Sequence, residues 1–535
     1  MLSALDNLIN DIAIGPENRK VKQYLGKATR NTVYADLAKV LSWQLKRPQF
    51  FQETFDKYCI EDQSSHEKYW TEESFRNHVR GAHSAGAISD AAIALLWKSF
   101  YFYAYHPFPP DLHHHAKVDF DAFRRAIQLT VSQCDGLLGT RELDWYWRLD
   151  AACFRKASFA RFFRSIAVPD HGFPEKQQKL DITPSSLSDA MDVLVMVGPQ
   201  FTHAVPSEPQ LGSAARKLFA DGPAVAQRDV VRREDISVLI GLLLRLRLQE
   251  EKWARSYPFG AVIEAGSART DLTEVFVDSL TERYNEQDIT VQHLSGQADL
   301  MPHLLLRFQQ LWAVLFQPSG AADVSKLSVD EYELTIIGGA ISLFAPPIIV
   351  GRAGRQRPYE QDTRLTLEAV QVSPDSQDMT ILRLRQILFD NSAAHIVLFT
   401  AAADGKNPKT VIGAYLPIKL DVSHILFQLQ PSFRLLRWSK RRMLPEDLIN
   451  SEEKASSEEV VLKEDLELPY WIGAPLERGA GLRVDPRKKT ATLTNSMGGC
   501  YVEVPVGGKE NSEKSWNITI QQARMDIFTA SGAEC

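Results

Sequence analysis

The chain has 535 residues, of which 44% are hydrophobic and 24% charged, and its formal net charge is −6. That length predicts about two to four domains, and the balance excludes a disordered chain and any global attraction to nucleic acid. Five scattered cysteines (Cys59, Cys134, Cys153, Cys500 and Cys535), with no C-x-x-C and no zinc spacing, exclude a disulfide framework and fit a reducing compartment.

The N-terminus "MLSALDNLINDIAIGPENRK" has neither a secretory signal's basic segment before an apolar run nor the glycine after Met1 that myristoylation needs. Residues 1–170 are predicted helical. "FQETFDKYC" places Phe51, Phe55 and Tyr58 on one helical face. A polar loop and "YWTEESFRNHV" follow, and the order recurs in "AIALLWKSFYFYAYHPF", "PPDLHHHAK" and "VDFDAFRRAIQL". Helix, polar loop, short β-like triplet, helix, given twice, resembles a pair of EF-hands.

The calcium ligands are another matter. Such a loop needs oxygens at positions 1, 3 and 5, glycine at 6 and a bidentate Glu at 12. With Trp70 at position 8, Gln63, Ser65 and Glu67 take positions 1, 3 and 5, Lys68 stands for the glycine, and Ser74 for the Glu. With Val118 fixing the second frame, Asp111 starts the loop, His113 and His115 follow, and Ala122 replaces the Glu. No tight calcium site is expected. His113, His114 and His115 are zinc-binding residue types, but adjacent loop histidines point apart, so a solvated loop is expected. "LDWYWRLDAACFRKASFARFFRSI", 143–166, is expected to seal the helical unit rather than bind RNA.

Residues 167–234 read as connection with short helices. "EDISVLIGLLLRLRLQEEKW", 234–253, is predicted to be one core helix capped by Asp235, and "LMPHLLLRFQQLWAVLFQP", 300–318, a second one closed by Pro318. "LTIIGGAISLFAPPIIVG", 334–351, nears membrane-spanning length, but Gly-Gly and Pro-Pro interrupt it, and buried strands broken by a turn are predicted. "GRAGRQR", 351–357, lacks the G-K-[ST] of a phosphate loop and reads as a basic surface loop suited, if functional, to an acidic partner. From residue 330 the period becomes that of strands: "YELTIIGG", "AAHIVLFTAA", "TVIGAYLPI", "HILFQLQP", "GLRVD", "TATLTNS", "CYVEVPV" and "WNITI". An antiparallel sandwich is predicted, with a mobile acidic loop at about 446–466 inside "LPEDLINSEEKASSEEVVLKEDLELP".

Four of these stretches carry a resemblance to the TLDc domain, the module of the oxidation-resistance and vacuolar-ATPase-regulator family. "AAHIVLFTAAADGKNPKTVIGAYLP", 393–417, is similar to that domain's central hairpin, and "HILFQLQPSFRLLRWS", 424–439, to the strands after it. "IGAPLERGAGLRVDPRKKTATLTNSMGGCYVEV", 472–504, resembles the turn, strand pair and glycine-rich hairpin that follow, and "WNITIQQARMDIF", 516–528, the closing strand. An EF-hand-like region before such a domain is the layout of the branch that includes the fungal restriction-of-telomere-capping proteins. This chain departs from the family in carrying "LDVSH" where Gly-Thr-Gly-Glu is usual and "MDIF" where a Trp-aromatic ending is usual.

Cys500 follows Gly498 and Gly499. The expectation is a hairpin in which "SMGG" turns the chain and Cys500, Val502 and Val504 share one face opposite Tyr501 and Glu503. A nucleophile or redox-sensitive thiol is the competing reading, but no histidine lies downstream, and His395 and His424 upstream read as structural residues on apolar strands.

The expected fold class is α+β: a helical, EF-hand-like N-terminal half, then a TLDc-like antiparallel β-sandwich with flanking helices. The expected divisions are 1–170 helical and degenerate EF-hand-like, 171–299 helical connection, and 300–535 sandwich. The resemblance implies a non-enzymatic adaptor of the vacuolar proton-pumping ATPase, bound to its V1 sector and linked to oxidative-stress resistance. Such a protein is cytoplasmic and reaches the vacuolar membrane through its partner, with no catalytic residue, cofactor, metal, nucleic acid or membrane insertion of its own. A fragment from about residue 300 is expected to keep part of that binding. The alternatives are a cytosolic scaffold for an unrelated partner, a telomere-capping role included, and a thiol-based oxidative-defence enzyme.

Overall fold

The computed structural model describes residues 16–42, 48–110, 116–131, 151–168, 184–198, 206–221, 230–253, 257–265, 271–281, 288–318, 329–345, 348–350, 359–361, 366–369, 381, 384, 394–401, 409–416, 425–438, 449–451, 469–472, 481–496, 501–504 and 515–531. It begins with helices α1 (16–27), α2 (Arg30–Ser42) and α3 (Pro48–Tyr58). A hairpin of β1 (Ile60–Glu61) and β2 (Lys68–Tyr69) leads to α4 (Glu72–Ala82), and α5 (Asp90–Ala104) and α6 (Phe120–Val131) follow. Helices α4 and α5 start where the sequence supplies a cap. The Thr71 hydroxyl accepts from Ser74 N, with Glu72 and Glu73 at the positive end of α4, and the Ser89 hydroxyl accepts from Ala92 N at the head of α5.

Next come α7 (Ala151–Ile166), α8 (Pro184–Val197), α9 (Glu208–Ala220), β3 (Val230–Arg232), α10 (Arg233–Leu244), β4 (Leu246–Trp253) and β5 (Tyr257–Val262). They lead to α11 (Asp271–Thr281), β6 (Asp288–Thr290), α12 (Val291–Ser295), α13 (Leu304–Leu315) and α14 (Val329–Ser342). The connecting region is therefore not wholly helical. The single helix expected over 234–253 stops at Leu244, and its second half is β4, paired antiparallel with β5. Arg245 ends that helix by donating to the Gly241, Ala87 and Ile263 carbonyls. Arg232 is the N-cap residue, and Asp235 instead lies in the first turn, 3.1 Å from Lys98 Nζ.

The strands expected over 334–351 are corrected in their first half, where Val329–Ser342 is helix. The β-branched run there packs as a helix on α10. A Cβ on Gly339 would come within 2.5 Å of the Leu244 carbonyl oxygen, so this glycine serves the close approach of α14 to the end of α10 rather than a turn.

The remaining strands are β7 (Ile348–Val350), β8 (Tyr359–Gln361), β9 (Thr366–Ala369), β10 (Ala394–Ala401), β11 (Thr410–Leu416), β12 (Ile425–Gln430) and β13 (Arg434–Trp438). After them come β14 (Ile449–Ser451), β15 (Tyr470–Ile472), β16 (Gly481–Asp485), β17 (Thr490–Asn495), β18 (Tyr501–Glu503), β19 (Trp516–Ile520) and β20 (Arg524–Ser531). Among the described residues two antiparallel sheets carry this half, ordered β18-β13-β12-β11-β10-β20-β9 and β14-β15-β16-β17-β19. The acidic loop expected over 446–466 therefore contains a strand, Ile449–Ser451, paired with Tyr470–Ile472. Residues 452–466 lie outside the described residues.

The hairpin expected around Cys500 is also corrected. β17 pairs with β16 and β19 in the five-stranded sheet, whereas β18 pairs with β13 in the other, so the chain changes sheets between them. Tyr501 is buried on the side of the five-stranded sheet and Val502, on the opposite face, is 58% exposed, while Val504, just past the strand, is buried in the helix-side core. "WNITIQQARMDIF" likewise is two strands, β19 and β20, one in each sheet.

The seven-stranded sheet is buried on both faces. Val397, Phe399, Ile412 and Leu426 face the five-stranded sheet, which contributes Tyr470, Leu482, Val484 and Leu493. Ile396, Leu398, Val411 and Phe427 face the helices and belong to one core continuous with the N-terminal half. The core does not divide at residue 300.

Candidate functional site

The loop pair of the helical half is built around a bridge. Trp70 N donates to Val118 O at 2.8 Å and Val118 N to Trp70 O at 2.9 Å, the two residues that set the loop frames. Lys117, beside Val118, reaches back to the first loop and donates to Asp62 Oδ2 at 3.0 Å, and Lys68 donates to Asp56 Oδ1 at 3.2 Å. Asp62 Oδ1 accepts from the Ser64 hydroxyl at 2.6 Å and from Ser64 N at 2.9 Å. Those bonds, with that from Lys117, hold the Asp62 carboxyl well below the usual carboxylate range. The first loop thus closes on lysine ammonium groups. Ser74 and Ala122, in the places of the bidentate Glu, are buried, and their N–H groups are capped by Thr71 and Asp119. The described residues contain no group of three or more His, Cys, Asp or Glu placed to share a metal ion.

A second constellation was missed by sequence reasoning. Arg161 Nε lies 3.0 Å from Asp189 Oδ1 and Arg161 Nη2 lies 2.5 Å from Asp192 Oδ2, while Arg164 pairs with Asp189 Oδ2. All four side chains are buried between α7 and α8, with His106 Nδ1 3.8 Å from Asp189. Burial raises the Asp189 carboxyl, but Arg164 and Arg161 outweigh it and leave the pKa lowered to about 2. Burial lowers the His106 pKa to about 3, so the imidazole is neutral. Two arginines and two aspartates balance, and the cluster fastens α7 to α8. The available signal was the i, i+3 spacing of opposite charges on two apolar helices: Arg161 and Arg164, Asp189 and Asp192. The arginines of 143–166 that RNA would have needed include these two, which point into the core.

The helical half meets the sandwich across a phenylalanine seam. Phe433 lies 4.6 Å from Phe276 and 5.2 Å from Phe344, and Phe344 lies 5.3 Å from Phe427, as ring centroids. Glu333 of α14 pairs with Lys409 before β11, and Arg437 of β13 donates to the Asp299 carbonyl.

Cys59 is half-buried, and burial raises its thiol pKa, the reverse of what activates a nucleophile. His395 is buried on β10. Cys500, His424, the His113–His115 triplet and "GRAGRQR" lie outside the described residues. Among the described residues no helix is long and apolar enough to cross a membrane. No family model, curated protein or solved structure matches the chain.

Proposed function

We propose that this protein is a non-enzymatic TLDc-type adaptor that binds the V1 sector of the vacuolar proton-pumping ATPase from the cytosol and contributes to oxidative-stress resistance. The observation that carries the reading is where the resemblance falls. Its four stretches lie on β10–β13 and β16–β20, with the end of β15, of one two-sheet body. In the same reading α3–α6 are a degenerate EF-hand pair, supported by the Trp70–Val118 bridge between the two loop frames and by Lys117 reaching across it to Asp62. The fused core favours a rigid body whose helical and β halves contact a partner together, and so enlarge the interface beyond one small domain face.

The test is association of the full-length purified chain with purified V1 sector. Saturable binding at micromolar concentration is expected, with V1 subunits co-purifying from extract on the tagged chain. No association at that concentration would remove the vacuolar partner. The "LDVSH" segment in place of Gly-Thr-Gly-Glu favours, in that event, the second reading: a scaffold whose partner is some other protein.

A further inference from the structure

One end of the sandwich is basic. β16 and β17 are joined by the turn "DPRKK", 485–489, in which Arg487, Lys488 and Lys489 are exposed. A second turn at the same end joins β19 to β20, and Arg524, which follows it, has a side chain 75% exposed. The two turns are bonded, since Ala523 N donates to Lys489 O at 2.9 Å. With Arg483 of β16, five basic side chains share this end. Among the described residues two carboxylates pair with them. Asp485 is buried beneath the turn, 3.7 Å from Lys488 Nζ and 3.9 Å from Arg483 Nη1, and Asp526 lies 3.0 Å from Arg524 Nη2. Five against two leaves this end positive in a chain whose net charge is −6. Lys489 is also held at φ 51°, a left-handed conformation that glycine or asparagine adopts at less cost. The turn thus carries a lysine where the backbone favours a residue without that charge.

The chain supplies an acidic counterpart at the same end. Ser451, the last residue of β14, pairs with Tyr470, and Tyr470 pairs with Val484, next to Asp485. The connection 452–468 between β14 and β15 therefore leaves and rejoins the sheet at the end from which the basic turn projects. It holds seven carboxylates against two lysines. β14 lies two strands from β16, roughly 10 Å, and a connection of that length with neighbouring ends reaches roughly 25 Å. Length and charge both let the segment lie on the turn. The acidic composition that argues for mobility takes the segment alone and leaves this neighbour out.

We infer that the basic end of the sandwich, Arg487, Lys488 and Lys489 with Arg524, is a docking face whose occupant is the chain's own acidic segment 452–468. The contact is electrostatic: several weak pairs, each screened by salt, held together by the tether. An acidic surface of another protein then meets this face only in competition with the segment. The inference stands on charge and strand register and does not depend on the pump being the partner.

The test is cleavage of the full-length chain by a glutamate-specific protease, with a labelled free peptide of residues 452–468 in the same tube as reference and fragments identified by mass. At about 20 mM salt the segment in the intact chain should be cut about tenfold more slowly than the peptide, because the tether keeps it near its site. At about 0.5 M salt the two rates should converge, because screening shortens to a few Å. Full-length Arg487→Glu/Lys489→Glu should lose the protection at low salt while its Tm stays within about 2 °C of the unaltered chain, as expected for exposed turn residues. If that variant does not fold, Arg487→Gln/Lys489→Gly removes the same two charges and relieves the left-handed backbone. The inference is overturned by protection below about threefold at low salt. It is equally overturned if protection survives in the folded variant, or if protection grows with protein concentration, which would place the segment on a second copy. V1 association is measured separately on the unaltered chain, so failure of the vacuolar reading and failure of this one are distinct results.

Discussion

Three buried histidines carry a charge state that the surrounding residues decide. Burial lowers His78 and His83 to a pKa of about 4, opposed by hydrogen bonds with the Leu315 and Val314 backbones, and lowers His106 to about 3, opposed by Asp189. In the unfolded chain each titrates near 6.5. Folding is therefore favoured fully above that pH, where all three are neutral in both states. The contribution is lost as pH falls, because the unfolded chain takes up protons that the folded one refuses. Each histidine adds a slope of up to about 1.4 kcal/mol per pH unit between roughly pH 6.5 and 4. Melts at pH 7.5, 6 and 5 should show Tm dropping through this window, well above the range where Asp189 protonates. A flat Tm from pH 7.5 to 5 would rule the account out. The Asp189 carboxylate is a second residue-scale test. Asp189→Asn keeps the size but leaves Arg161 and Arg164 short of one buried counter-charge, and should cost about 3–5 kcal/mol in denaturant unfolding. A loss below 1 kcal/mol, of the order of a surface ion pair, would mean that water reaches the cluster.

At the scale of elements, α14 shows what local pattern leaves open. Its sequence "VDEYELTIIGGAIS" holds β-branched residues and two glycines, which by propensity describe a strand and a turn. Tertiary packing overrides this: Gly339 lets α14 lie against the Leu244 backbone. Gly339→Ala tests the explanation by sign. In an exposed helix that change stabilises by about 1 kcal/mol. Here the added methyl meets backbone that cannot swing aside, and the variant should lose about 1–3 kcal/mol and several degrees of Tm. A stabilised variant would show that propensity, not crossing distance, governs the site. The strands β10–β12, by contrast, were legible because "HIVLF", "VIGAY" and "ILFQL" are short apolar runs bounded by turn residues. Their meaning was only half legible. Runs this continuous mark a sheet covered on both faces, where a sandwich strand with one wet face would alternate. The helical cover on the second face comes from residues far away in sequence, which no local period encodes. The Arg161–Asp189–Asp192 cluster escaped for the same reason, since each charge pair looks solvated until its partner helix is known.

The whole molecule follows from that two-faced sheet. Removing the helical half would expose Ile396, Leu398, Val411, Ile425, Phe427 and Leu435 to water, at about 25 cal/mol for each Å² of apolar area uncovered. Removing the sandwich would uncover Phe276 and Phe344 on the other side of the seam. Neither half keeps its core alone. The fragment from about residue 300, expected from sequence to retain binding, would carry α13 out of the α4–α6 aromatic cluster and leave one face of the sheet bare. Full-length protein should therefore unfold in one transition, coincident by far-ultraviolet circular dichroism, which follows the helices, and by tryptophan fluorescence, which follows Trp70 and Trp312 in the helical half and Trp438 and Trp516 in the sandwich. The 300–535 fragment should be insoluble or bind a hydrophobic dye strongly. Two separated transitions, or a soluble monomeric fragment that binds no dye, would show that the seam is an interface between independent domains rather than part of a single core.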